Sequence, residues 1–84
     1  MLKNTDPDQQ VLMITAEECA ELAQVCMKWL RFTEPQMSLA EEIGDVQCMI
    51  NLLVERGFVT REQIDQREQV KRNKLKIYSN LIDA

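Results

Sequence analysis

Punctuation constrains this chain more than anything else. Its 84 residues include only two glycines and two prolines. A fold of many short strands would need far more turn residues, so a few long helices are favoured. The few breaks are well placed. Pro7 closes a polar lead-in over residues 1–7. Thr33, Glu34 and Pro35 interrupt a helical stretch, because proline disfavours helix in the residue before it. Gly57 suits the position just past a helix end. Ser38-x-x-Glu41 and Thr60-x-x-Gln63 both read as capping boxes, in which a hydroxyl and a longer polar side chain satisfy each other's backbone N–H groups. The expectation is an all-α domain spanning residues 1–84. Helix one would run from near Asp8 to Phe32, helix two from the Ser38 box to about Arg56, and helix three from the Thr60 box to about Leu81.

A chain of this length buries only about 60–65% of its unfolded surface, so its own core is marginal. Helix two makes the shortage concrete. After Ile43 it is apolar nearly all round, with Val46, Cys48, Met49, Ile50, Leu52, Leu53 and Val54. Such a helix is buried on more than one side, and three helices cover it poorly. Helices one and two are therefore expected to pair with a second copy, forming a four-helix core at a dimer interface. Cys19, Cys26 and Cys48 have no C-x-x-C spacing and are expected to be small buried hydrophobes.

The net charge of −4 disfavours nucleic acid and anionic membranes as partners. No apolar run approaches the ~20 residues of a membrane span. Met1-Leu2-Lys3-Asn4 lacks the apolar stretch of a secretory signal, so the expected location is the cytoplasm. Charge is also divided along the chain. Residues 1–60 carry a net −6 and residues 61–84 a net +2, which separates two acidic helices from a basic third.

The acidic helices hold the candidate site. At about 100° per residue, Glu18 falls inside the apolar stripe of helix one, between Ile14 and Val25 on one side and Leu22 and Cys26 on the other. Glu21 lies one turn along. In helix two, Met49, Leu53 and Val46 surround Glu42, with Asp45 one turn away on the flank. Each helix thus carries a carboxylate pair at i, i+3, a spacing that makes neighbours, on a face that ought to be buried. Buried carboxylates without a partner cost several kcal/mol each or become protonated, and four facing one another also repel. Two sources of positive charge are open: Lys/Arg from helix three, in a structural ion-pair network, or divalent metal. There is no histidine in the chain, which argues against zinc and leaves oxygen ligands. These suit a hard cation, Mg²⁺ or alternatively Mn²⁺.

At these residues the chain resembles the all-α nucleoside triphosphate pyrophosphohydrolases, the MazG-like family. The motif of that family is E-E-x-x-E followed on the next helix by E-x-x-D. Here these are Glu17-Glu18-Cys19-Ala20-Glu21 and Glu42-Ile43-Gly44-Asp45. Lys71-Arg72-Asn73-Lys74 resembles the basic stretch that follows, and the resemblance covers roughly residues 11–78. It implies Glu18, Glu21, Glu42 and Asp45 as Mg²⁺ ligands, Glu17 and Glu41 as water-orienting carboxylates, and Lys71, Asn73 and Lys74 as phosphate-binding residues. It also implies a homodimer or a dimer-of-dimers tetramer. The implied activity is hydrolysis of a (deoxy)nucleoside triphosphate to monophosphate and pyrophosphate. Many members are longer, with extra helical elements that help form the base pocket.

Trp29, Phe32 and Tyr78 are the available aromatic side chains for a base slot, although core or interface packing is the stronger expectation for each. Helix three would serve either its own site or that of a partner subunit. The competing reading is a non-catalytic helical interaction module with its carboxylates paired to Lys/Arg, or a metal-binding relative with no activity or with another specificity.

Overall fold

The computed structural model describes residues 5–32 and 37–83. It contains three helices and, among the described residues, no strand: α1 (Pro7–Arg31), α2 (Met37–Glu55) and α3 (Arg61–Tyr78). The expected all-α architecture is what the structure shows. The interruption assigned to Thr33–Pro35 lies outside the described residues.

Local chemistry explains the helix ends. Pro7 is the first residue of α1, not the last of a lead-in, and Asp6 is the residue before it. Proline suits this position, since its missing N–H would have no intrahelical partner there. Gln10 closes the turn, with its N–H donating to Asp6 O at 2.9 Å and its side-chain amide to Thr5 O at 2.6 Å. The Ser38 capping box is not formed, because α2 already includes Met37 and Ser38 stands inside it. At the other end Gly57 adopts φ 80°. Its N–H donates to Val54 O and that of Phe58 to Leu53 O, both at 3.0 Å, the paired bonds of a Schellman motif. The Thr60 box is formed in full: Gln63 N–H donates to Thr60 Oγ1 at 3.1 Å, and Thr60 N–H to Gln63 Oε1 at 3.0 Å. Helix three ends at Tyr78, not Leu81, because Ser79 turns extended and both its N–H and its hydroxyl donate to Leu75 O.

The packing is confined mainly to one pair. α1 and α2 form an antiparallel hairpin, and α3 touches them only slightly. Val11 and Met49 are the buried hydrophobic residues, with Ile14, Leu22, Val25, Val46 and Leu53 half-buried around them. Asp8 Oδ1 and Arg56 Nε, 3.0 Å apart, clasp the hairpin at the end away from the α1–α2 connection. The molecule measures 47 × 33 × 17 Å, with a radius of gyration of 15.6 Å. A compact chain of this length would have a radius near 12 Å. Because α3 touches the hairpin only slightly, no second layer of helix covers the α1–α2 pair among the described residues.

A single layer leaves the hairpin with two broad faces. Measured from Glu18, the packed stripe of α1 is centred at about 20°; measured from Glu42, that of α2 lies at about 20–40°. Because the helices are antiparallel, side chains rotated the same way from these stripes emerge on the same side of the hairpin. Glu17, Glu21, Glu41 and Asp45 share one side. Leu12, Cys19, Cys26 and Leu30 of α1, with Ile43 and Val54 of α2, share the other. This arrangement corrects the expectation for the thiols: Cys19, Cys26 and Cys48 are all exposed. Each lies off the α1–α2 seam, on a surface that one chain alone does not cover.

Candidate metal centre

Glu18 and Glu42 sit on the seam between the helices, half-buried, while Glu21 and Asp45 flank them and are exposed. Carboxylate oxygens of Glu18, Glu42 and Asp45 all lie within 4.8 Å of one another. Glu21 is not part of that close group, but it stands near enough for its charge to act on both Glu18 and Glu42. The structure therefore brings three residues of the two expected pairs within one ligand spacing, with Glu21 beside them.

The electrostatics are one-sided. Burial, and then the charges of Glu21, Asp45 and Glu42, push the Glu18 carboxyl above the ordinary 4.5. Burial, then Glu21 and Asp45, does the same to Glu42, with a further contribution from Glu41. The neighbouring charges named here are all negative. Ion pairs among the described residues join Asp8 to Arg56 and Glu68 to Arg72, and neither reaches the cluster. Glu18 Oε2 and Glu42 Oε2 are buried without any hydrogen-bond partner, and such orphaned oxygens are rare in folded proteins.

These residues fit a hard divalent cation. Two orphaned carboxylate oxygens offer lone pairs that no described residue uses, and the donor set is all oxygen. Oxygens on one Mg²⁺ at about 2.1 Å stand roughly 3–4 Å apart, so small side-chain rotations close the observed spacing.

The other expected site residues are placed differently. Glu41 is exposed beside the cluster and free of the capping role its spacing suggested; its charge bears on Glu42. Glu17 is exposed on the same side of the hairpin. Lys71, Asn73 and Lys74 are exposed on α3, and Asn73 Oδ1 accepts from Gln69 within that helix at 3.2 Å. The structure does not bring them to the carboxylates of their own chain. Phe32 is 58% and Tyr78 81% exposed, so neither is core within one chain.

Position along the chain alone did not show a cleft of about 190 Å³ lined by Val25, Lys28, Trp29, Phe32 and Ser38. The indole Nε1–H of Trp29 is buried and has no acceptor. Trp29 continues the Glu18–Val25 stripe, about 16 Å along α1 from Glu18, and that shared stripe was the signal available in the sequence. No family model matches the chain, and neither the search of curated proteins nor that of solved structures gives a match. None of the helices is long and apolar enough to cross a membrane among the described residues.

Proposed function

We propose that the chain is a Mg²⁺-dependent nucleoside triphosphate pyrophosphohydrolase of the MazG-like kind, releasing pyrophosphate and a monophosphate. The observation that carries this reading is the gathering of Glu18, Glu42 and Asp45 between two helices, with Glu21 beside them and no cation of the described residues among them. A triphosphate cannot approach such a cluster unless positive charge lies between. Bound Mg²⁺, or Mn²⁺ in its place, would neutralise phosphate charge and polarise the reacting phosphoryl oxygens.

The remaining tasks fall to the chain's own residues. Glu18 and Glu42 hold the centre from the seam, and Glu21 and Asp45 close it from the flanks. Glu41 and Glu17 orient the water that attacks the α-phosphorus, with Glu41 the nearer to the cluster. The Trp29 cleft lies beyond Val25 on the same stripe and offers the base an aromatic face and a free N–H donor. Lys71, Asn73 and Lys74 meet the phosphates from helix three of this chain or of a partner subunit, since α3 packs only slightly on its own hairpin.

The test is a panel of dNTPs and NTPs incubated with Mg²⁺, with monophosphate and pyrophosphate measured as products. Release of inorganic phosphate and a diphosphate would sink the α-phosphorus assignment. The interaction-module reading predicts carboxylates paired to Lys/Arg. Within one chain the described ion pairs do not include them.

A further inference from the structure

A side of the hairpin that the metal centre does not use carries a second pattern. Leu12, Ala16, Cys19, Ala23, Cys26 and Leu30 follow one another at steps of 4, 3, 4, 3 and 4. That is the a/d spacing of a coiled-coil seam, sustained for about 27 Å of helix. All six residues are exposed, Leu12 by 51% and Leu30 by 79%. They lie about 100° away from the stripe that packs on α2, and Ile43, 50% exposed, emerges beside them from α2. Among the described residues the seam has no partner helix.

The order of residues selects the occupant. A two-fold interface must be self-complementary, so that if residue i meets j, then j meets i. Reversed, the seam keeps its spacing and almost its sizes: Leu12 falls opposite Leu30, Ala16 opposite Cys26, and Cys19 opposite Ala23. Large residues meet at the two ends and small ones through the middle, where the backbones can approach closely. Opposed helix dipoles favour the same orientation.

The area agrees with a second copy. The chain exposes 6895 Å², whereas a compact 9.8 kDa monomer exposes about 5,200 Å². The difference, about 1,700 Å², is shared between the hairpin and the separated α3, and half of it already matches one partner's share of a stable interface, typically about 800 Å². A second hairpin laid on this side would also supply the second layer that a helical domain needs.

We infer that a second copy of this chain docks on the Leu12–Leu30 seam, α1 against α1 and antiparallel, with Cys19 facing Ala23 of its partner. This deepens the association proposed above by naming its face, and it does not depend on the chemistry at the carboxylates. Sedimentation equilibrium at about 100 µM should give twice the chain mass for the wild type and for Gln24→Glu, which lies off the seam. Ala23→Glu should lose the dimer. If that variant fails to fold, the orientation remains testable in a chain carrying Ala23→Cys, Cys26→Ser and Cys48→Ser. Oxidised with diamide, it should form a covalent dimer between Cys19 of one copy and the thiol introduced at position 23 of the other, identified by peptide mass. A monomeric wild type, a dimeric Ala23→Glu, or a Cys19–Cys19 linkage would overturn the proposal. Each of these readouts is independent of Mg²⁺ and of turnover, so failure here leaves the metal centre standing.

Discussion

The two broad faces of the α1–α2 hairpin are built from the same two helices and are incomplete in opposite senses. One gathers carboxylates with no countercharge among the described residues, and leaves Glu18 Oε2 and Glu42 Oε2 buried without partners. The other presents an exposed apolar seam from Leu12 to Leu30. Neither lack is a defect of local folding, since both helices are regular and their C-terminal ends are closed by backbone hydrogen bonds. Two faces rotated in opposite directions from one packed stripe can each be specified almost independently of the other. A helix with one apolar stripe supports one partner; α1 carries two, with Glu18 inside the packed one and Glu17 and Glu21 on the side away from the other, which separates a cation from a protein.

The sharpest way to break this comparison is to disable one face alone. Glu42→Gln removes a buried charge at the centre and keeps the side chain's shape. Mg²⁺-dependent pyrophosphate release should fall by at least about 100-fold, and stabilisation by millimolar Mg²⁺ should be lost. The metal-free variant should melt higher than the wild type, because repulsion among the carboxylates is relieved. Its mass in solution should be unchanged. A variant that kept its turnover would remove Glu42 from the site; one that lost its partner would show the two faces to be coupled.

A pH series sharpens the same face without mutation. Glu18 and Glu42 have carboxyls raised by burial and then by neighbouring carboxylates. The folded state therefore binds protons more readily than the unfolded chain, and the stabilisation is fully present below the ordinary carboxylate value. It is lost as pH rises through the raised values. Metal-free protein should melt at a higher temperature at pH 5 than at pH 7. Saturating Mg²⁺ should flatten or reverse that trend, since only ionised carboxylates bind it. Identical pH profiles with and without Mg²⁺ would mean that the cation does not bind at these groups.

What could be read from the sequence follows from how local each determinant is. Thr60-x-x-Gln63 and Gly57 are self-contained signals, and the structure uses both as their spacing suggests. Ser38-x-x-Glu41 has the same form, yet α2 begins before it, because a capping pattern cannot say which of several adjacent residues starts the helix. Glu18 and Glu42 were legible because a charge within an apolar stripe conflicts with its surroundings on one helix alone. The seam was harder to find. Ala and Cys are neutral in a periodicity reading, and the three cysteines looked like core residues until the packed stripe was located elsewhere. The separation of α3 from the hairpin was not legible, because its half-buried Ile64 and Leu75 suit either its own hairpin or a partner's.

Helix three offers a smaller test, since it belongs to neither face within one chain. Thr60→Ala deletes the side-chain oxygen that accepts from Gln63 N–H. The expected cost is about 1 kcal/mol of stability, measured by denaturant titration, with Mg²⁺ stabilisation of the folded protein retained. If the Mg²⁺ response disappeared together with the cap, α3 would have to be counted as part of the metal centre.

The smallest effect is expected at the clasp. Asp8 and Arg56 join the two helices at their open end, with side chains 58% and 41% exposed. Exposed pairs contribute roughly 0.2–1 kcal/mol, so Arg56→Ala should cost about 0.5 kcal/mol, and raising the salt concentration in the wild type should remove a similar amount. The pair lies across the seam that both faces share, so its loss should weaken Mg²⁺ binding and self-association slightly and together. A large effect on one without the other would show that the clasp belongs to that face, and that the hairpin is not the common frame for both.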